Sequence, residues 1–110
     1  MMTATTTATA LSATAAAQAT PAAEPATACF FVVAAAEVGT MARVLEIFAL
    51  RSLLPSRWHS QRVRGRGTDE VHIDVQLDML APDEAEKLAR RLRQLVEVRQ
   101  VLVSMKAVAD

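Results

Sequence analysis

One stretch of the chain, residues 29–50, changes its hydrophobic period partway along and restricts the possible folds more than any other. Its first part is apolar at both alternating positions, as in Phe30 and Phe31, which indicates a strand covered on both faces and central in its sheet. Apolar residues then recur at the spacing of one helix stripe, at Met41, Val44, Leu45 and Phe48. The pattern predicts a strand at about residues 30–35, a tight turn and a helix at about 40–50.

The turn between this strand and this helix contains Gly39, where a positive φ or a close backbone approach favours glycine. Thr40 follows as the predicted N-cap. The first N–H groups of a helix lack intrahelical acceptors and carry a partial positive charge, so the helix start can hold a carboxylate. The predicted ligand donors are the backbone N–H groups of Val38, Gly39, Thr40 and Met41.

The remaining sequence predicts three more strands and a second helix. Residues 56–64 are polar, as expected of an edge strand, and a glycine-containing turn leads to an alternating strand at 71–78. Pro82, followed by two acidic residues, starts a helix that leads to a last strand at 98–105. The order β-α-β-β-α-β predicts a ferredoxin-like α+β sandwich, with a four-stranded antiparallel sheet, strands one and three central, and two helices on one face.

The N-terminal 28 residues differ in composition from the rest of the chain. They are mostly Ala and Thr, and Glu24 is their one charged residue. Such a tract buries too little apolar surface to offset its ordering entropy, so we expect residues 1–28 to be disordered. The folded domain is then expected over residues 29–106, with a loose end at 107–110. A domain this small is expected to associate with a copy of itself or with a partner.

Composition argues against several classes of function. Lys and Arg together number 12, as do Asp and Glu, but five Arg and no acid lie between Arg51 and Arg66, which indicates solvated faces or docking patches. Cys29 has no second cysteine to pair with, and His59 and His72 lack the further ligands that a metal site needs. No catalytic arrangement is visible. Without a targeting signal or a membrane span, a cytoplasmic location is expected.

Helix one carries more apolar surface than one sheet can cover. Ile47, Leu50 and Leu54 form a second apolar line beside the first stripe. Trp and Arg are enriched in protein interfaces, and the neighbouring edge strand contains Arg57 and Trp58. These five residues are therefore the predicted contacts with a second copy or another subunit.

Two motifs resemble those of ACT domains and, within that group, of the small regulatory subunit of acetolactate synthase. Residues 39–48, Gly-Thr-Met-Ala-Arg-Val-Leu-Glu-Ile-Phe, are similar to the family's helix start, Gly-x-Leu-x-Arg-Val-x-x-x-Phe. Residues 92–101 resemble its closing Leu-x-x-Leu-Val-(Asp/Glu)-Val-x-x-Val. The resemblance covers residues 29–105.

The resemblance implies a non-catalytic regulatory subunit in branched-chain amino-acid biosynthesis, of the short type with a single ACT domain. Such subunits form homodimers, bind and activate the large catalytic subunit, and often confer feedback inhibition by valine or another branched-chain amino acid. They need no cofactor of their own, since thiamine diphosphate, FAD and Mg²⁺ belong to the large subunit. Neither nucleic acid nor a membrane is an expected partner.

Some positions depart from the family pattern. Feedback-sensitive members carry Asn or Asp three residues before the turn glycine, to hold the ligand's ammonium group, and here this residue is Ala36. Glu37 is adjacent but would point to the opposite face if the strand continued. Val38 stands in place of a common Pro, and Ser52 in place of a common Gly. A lost charge-assisted hydrogen bond weakens binding about ten- to a hundredfold, so weak or absent valine binding is expected.

Two alternatives to this function remain open. One is a free-standing ACT module that senses an amino acid and acts on another enzyme. The other is an RNA-binding domain, because such domains share the β-α-β-β-α-β order and the chain has a basic patch. The patch would comprise Arg57, Arg62, Arg64 and Arg66.

Overall fold

A computed structural model describes residues 26–107 of the chain. They form β1 (Ala26–Ala35), α1 (Thr40–Ala49), β2 (Arg57–Val63), β3 (Glu70–Leu77), α2 (Pro82–Arg93) and β4 (Val98–Ala107). The order and the α+β class are those predicted. Most of the predicted disordered tail, residues 1–25, lies outside the described residues, as do residues 108–110.

The four strands form one antiparallel sheet in the order β2-β3-β1-β4. The prediction that strands one and three are central is therefore confirmed, and β2 is an edge strand, as its polar composition indicated. In β1, Phe30 lies opposite Val75 of β3 on one side and Val103 of β4 on the other.

The core lies between the sheet and the two helices. Alternate residues of the central strands point into it, including Phe30, Val32, Ile73 and Val75, all at most 1% exposed. The rings of Phe30 and Phe48 meet edge to face, with their centroids 5.4 Å apart, and this contact joins β1 to α1.

The sequence predicted the wrong buried face for α1, and the observed face is rotated about the helix axis. Thr40, Val44, Ile47 and Phe48 are the buried residues of this helix. Met41 and Leu45, predicted to be buried, are 42% and 44% exposed. Because each helical residue turns by ~100°, the buried face is rotated by roughly 60° from the predicted one. Ile47 consequently packs in the core and is not available for the subunit contact predicted for it.

The first strand begins earlier than predicted, at Ala26, and includes three residues that were assigned to the tail. Thr27 is 3% exposed, and its Oγ1 donates a hydrogen bond to Asp78 Oδ1 at 2.9 Å. The backbone N–H of Leu80 donates to the carbonyl of Ala26 at 2.9 Å. These bonds attach the start of β1 to the segment after β3, so the folded domain starts before residue 29.

A β-bulge interrupts the pairing of β1 with β4. Val33 lies opposite Gln100 and the next residue, Ala34, lies opposite Val98, so Arg99 has no partner in the register. The extra residue changes which face the preceding part of β4 presents. Val98 and Val101 therefore both face the helices although they are three residues apart.

The end of α1 explains a departure noted in the sequence. Ser52 adopts φ 58°, in the left-handed region where glycine is preferred. The N–H of Leu53 donates to Phe48 O at 3.0 Å, and that of Ser52 donates to Ala49 O at 2.9 Å. These two bonds form a Schellman motif with Ser52 at the position that usually holds glycine.

A matched pair of substitutions on α1 distinguishes the observed buried face from the predicted one. Ile47→Ala creates a cavity in the core and should lower the free energy of unfolding by about 2–5 kcal/mol. Leu45→Ala removes a side chain that is nearly half exposed and should lower it by about 1 kcal/mol or less. Urea denaturation of both variants measures the difference. Equal losses would contradict the observed orientation of the helix.

Candidate functional site

The predicted ligand donors lie at the end of the sheet where three connections meet. We call this region the loop end; it comprises residues 36–39, 64–69 and 94–97. The N–H of Ala35 donates to Glu97 O at 2.9 Å, and that of Ala36 donates to Asp69 O at 3.3 Å. The three connections are thus hydrogen-bonded to the end of β1, which fixes their positions relative to the start of α1.

The turn into α1 forms without the special backbone predicted for it. Gly39 is the N-cap residue, but its φ is −87°. A Cβ at this position would lie 3.8 Å from Arg43 Nε, which is an ordinary contact. Neither a positive φ nor a close approach therefore requires glycine. Thr40 is the first helical residue and not the N-cap, and its buried Oγ1 donates to the carbonyl of Ala35 at 2.7 Å.

The four predicted donors are not equivalent. The N–H of Thr40 already donates to Glu37 O at 3.1 Å. Within residues 26–107, the N–H groups of Val38, Gly39 and Met41 have no backbone acceptor. Three of the four predicted groups are therefore available to an anion at the start of α1.

A cleft of about 250 Å³ lies beside this helix start. Its wall is mainly apolar, with one acidic and one basic side chain, and Ala36 contributes no polar group to it. Arg62 reaches the cleft from β2, and its guanidinium also bonds the carboxylate of Asp69, through Nε at 3.0 Å. The lining residues are Ala36, Glu37, Val38, Met41, Arg62 and Val71.

The cleft includes side chains that the sequence did not identify. Glu37 was discounted because neighbouring strand residues point to opposite faces, but β1 ends at Ala35 and Glu37 lies in the turn. Arg62 and Val71 lie opposite each other on neighbouring strands, so only the sheet register places them beside residues 36–38. No local pattern in the sequence indicates this proximity.

An ion pair joins the two sequence motifs at the loop end. Arg43 Nε lies 2.9 Å from Glu97 Oε2, and the side chain of Glu97 is only 10% exposed. The other carboxylate oxygen of Glu97 is buried without a hydrogen-bond partner among the described residues. Because a buried carboxylate is costly without a countercharge, the Arg43 guanidinium offsets the burial of Glu97 beside the start of α1.

A second network lies on the opposite face of the sheet at the same end. Glu70 accepts a hydrogen bond from Arg99 Nη1 at 2.9 Å and contacts His72 Nε2 at 3.3 Å. The hydrogen bond with His72, followed by that from Arg99, lowers the pKa of Glu70 below its usual 4.5. This network fixes β4 to β3 across the end of β1.

Three of the five predicted contact residues are exposed at the surface. Leu50 and Leu54 are 68% and 89% exposed, and Arg57 is exposed on β2. Trp58 is half-buried and packs against the core. A shallow apolar groove of about 390 Å³ runs along the outer face of α1, next to the exposed Leu45. The excess apolar surface predicted for this helix is present, although Leu45 replaces Ile47 in it.

Residues 26–107 bear on three other kinds of function: metal binding, membrane insertion and nucleic-acid binding. No cluster of metal-ligating side chains occurs among them. No helix in this range is long and apolar enough to cross a bilayer. On the open face of the sheet, Phe31 contacts His72, but it lies opposite Asp74, whose carboxylate would repel a nucleic-acid backbone.

Comparison with known proteins gives a match to a family model. The model described as ACT-like domain matches residues 21–109. No curated protein matches the chain.

Solved structures give matches of low sequence identity. The solution structure of the ACT domain from GTP pyrophosphokinase of Chlorobium tepidum is similar over 73% of this chain and 86% of that one, with TM-score 0.59 and 11% identity. The C-terminal domain of the MgtC protein from Mycobacterium tuberculosis is similar over 77% and 92%, with TM-score 0.58 and 15% identity. At these identities the likeness shows the fold alone.

The lowered pKa of Glu70 predicts how its network depends on pH. A carboxylate whose pKa is depressed in the folded state stabilises that state above its unfolded pKa, and this contribution is lost as the pH falls through the folded value. Glu70→Gln should therefore destabilise the protein at pH 7, and the difference from the parent protein should shrink below about pH 4.5. Urea denaturation between pH 3 and 7 measures this, with Glu86→Gln on α2 as the control. A difference that does not change with pH would contradict the assignment.

Proposed function

Because this chain belongs to the ACT-like domain family, whose members are non-catalytic regulatory modules, we propose that it is the small regulatory subunit of an acetolactate synthase. In this role it forms a homodimer, binds the large catalytic subunit and raises its turnover. A branched-chain amino acid binds it weakly or not at all, so feedback inhibition is weak or absent.

The observation that most supports this assignment is the ion pair between Arg43 and Glu97. Each residue belongs to one of the two motifs that resemble acetolactate synthase small subunits. The two motifs lie in different parts of the sequence, yet this pair joins them at 2.9 Å beside the start of α1. Their resemblance is therefore to a single structural unit and not to two unrelated segments.

The cleft at the loop end is the proposed amino-acid site. The available N–H groups of Val38, Gly39 and Met41 suit a carboxylate, and the apolar wall suits an aliphatic side chain. Ala36 offers the ammonium group no acceptor. Glu37 is exposed to water, where a single carboxylate holds an ammonium group only weakly.

The free edge of β2 is the proposed contact between the two copies. Ala36 donates toward β3 and Ala35 toward β4, so the even-numbered residues of β1 bond to β3. In β3 the residues that bond to β2 are therefore the even-numbered ones, and their partners in β2 are odd-numbered. The N–H and carbonyl groups of the alternate β2 residues, Trp58, Ser60 and Arg62, consequently point away from β3. Two β2 strands paired antiparallel about Ser60 place Trp58 of each copy opposite Arg62 of the other. This arrangement allows a cation–π contact and opposes no like charges.

The outer face of α1 completes this contact. In a right-handed β1-α1-β2 crossover, α1 lies over the half of the sheet that ends in β2, so the exposed apolar residues of α1 and its flanking segments are expected near this edge. Burying this surface between two copies explains why the helix is apolar outside the core. The exposed residues are Val38, Met41, Leu45, Leu50 and Leu54.

Mixing the purified chain with an acetolactate synthase large subunit from the same cell tests the function. We expect the two to co-elute and the turnover of the large subunit to rise. Ser60→Pro removes an outward N–H without touching the β3 ladder, so it should weaken self-association about tenfold or more and reduce the activation. Ser60→Ala keeps the N–H and serves as the control in sedimentation and activity measurements.

The result of this experiment distinguishes an acetolactate synthase subunit from a sensor for another enzyme. No co-elution and no change in turnover would refute the acetolactate synthase assignment. If the chain then still dimerised and bound an amino acid, a free-standing sensor for another enzyme would be the better description.

Restoring an acceptor at position 36 tests the ligand site. Ala36→Asn should tighten L-valine binding about ten- to a hundredfold, because its side chain can accept a hydrogen bond from the ammonium group. Isothermal titration calorimetry measures the affinity, and Ala42→Asn, on the exposed face of α1, is the control. Micromolar valine affinity of the unmodified chain, or no gain in the variant, would contradict the proposed site.

A further inference from the structure

The two edges of the sheet differ in charge. The β2 edge has two arginines, Arg57 and Arg62, so it can pair with a second copy only in a register that keeps these charges apart, as pairing about Ser60 does. The β4 edge is longer, with ten residues, and contains no charged residue between Gln100 and Met105. Leu102, near its middle, is 53% exposed. A long, uncharged edge of this kind is a template for pairing with another strand.

The outward groups of β4 follow from its ladder with β1. The N–H of Ala35 donates to Glu97 O, so the odd-numbered residues of β1 bond to β4. Their partners are Gln100, Leu102 and Ser104. The N–H and carbonyl groups of the alternate residues therefore point away from the sheet, and these residues are Val101, Val103 and Met105.

One of these outward groups is occupied by a side chain from the helix layer. Arg93, in the last turn of α2, donates from Nη2 to the carbonyl oxygen of Val101 at 2.9 Å. An incoming strand would need this same oxygen as an acceptor. The guanidinium also places a positive charge at the uncharged middle of the edge, where a neighbouring copy would bring a second one.

A second copy of β4 fits this edge once the guanidinium is displaced. Antiparallel pairing about Val103 matches the outward groups of Val101 with those of Met105 in the other copy. The same register places Arg99 opposite Ala107 and Gln100 opposite Lys106, so no like charges face each other. Residues that face the helices in one copy also do so in the other, which extends the apolar layer.

We propose that β4 is a second self-pairing surface of this protein and that Arg93 keeps it closed by occupying the Val101 carbonyl. The partner that fits the surface is another copy of the same strand. The proposal does not depend on the assignment to acetolactate synthase. If the copies also pair through β2, each dimer has two β4 edges. With both edges open, each dimer could bind two further dimers, and the protein would form an open-ended polymer. By closing the β4 edge, Arg93 then limits self-association to the dimer formed through β2.

Removing the guanidinium tests the proposal. Arg93→Met keeps a long helix-forming side chain but cannot donate to Val101. In sedimentation velocity over a range of concentrations, it should form species larger than the parent protein does, and at least tenfold lower concentration should suffice for self-association. Arg91→Met makes the same change on an exposed residue of the same helix turn and should behave as the parent does.

A second substitution identifies the surface. Leu102→Lys adds a charge to the β4 edge and, combined with Arg93→Met, should return the protein to the parent's sedimentation behaviour. Association of Arg93→Met that persists in this double variant would overturn the proposal, since another surface would then be responsible. Unchanged sedimentation of Arg93→Met, with a parental circular dichroism spectrum, would also overturn it. If Arg93→Met fails to fold, Arg93→Gln is subjected to the same comparison and decides the matter.

Discussion

The pairing of β1 on both sides is the constraint on which the rest of the structure depends. This strand bonds to β3 along one edge and to β4 along the other, and its alternate side chains form the middle of the core. At its end, Ala35 O accepts a hydrogen bond from Thr40 Oγ1, and the next residue, Ala36, donates its N–H to Asp69 O; these two bonds organise the loop end. The candidate site is thus an extension of the central strand pairing and not a separate loop structure.

Local periodicity was sufficient to predict the architecture. Residues 30–35 are apolar on both faces, and this correctly indicated a central strand. The predicted cover on both faces was wrong for residues 26–107, because both helices lie on one face and Phe31 lies on the open one. The alternation of residues 71–77 matches their burial. The polar residues 56–64 were correctly placed at an edge. Each of these inferences uses a pattern within one element. Such a pattern can be recognised without knowing which other element packs against it.

The orientation of α1 and the composition of the cleft could not be predicted in the same way. Apolar residues surround most of α1, so the sequence allowed several choices of buried face. In the structure the buried face includes Thr40, whose hydroxyl donates a hydrogen bond to the end of β1. The cleft combines residues 36–41 with Arg62 and Val71, which only the register of the sheet brings together. The Arg93 contact with β4 likewise depends on where α2 ends relative to the sheet. Long-range geometry of this kind leaves no periodic trace.

The bulge at Arg99 has a consequence for how this chain can change in length. The extra residue places Val98 toward the helices and lets the preceding Glu97 reach Arg43. Deleting any one residue between 98 and 100 would restore a regular alternation, and it would then reverse the faces of the segment that leads back to α2. Inserting one residue at the same place would also reverse the faces of this segment. This short segment is therefore expected to tolerate substitution far better than a change of one residue in length, and the connection at residues 64–68 is the more permissive place for such a change.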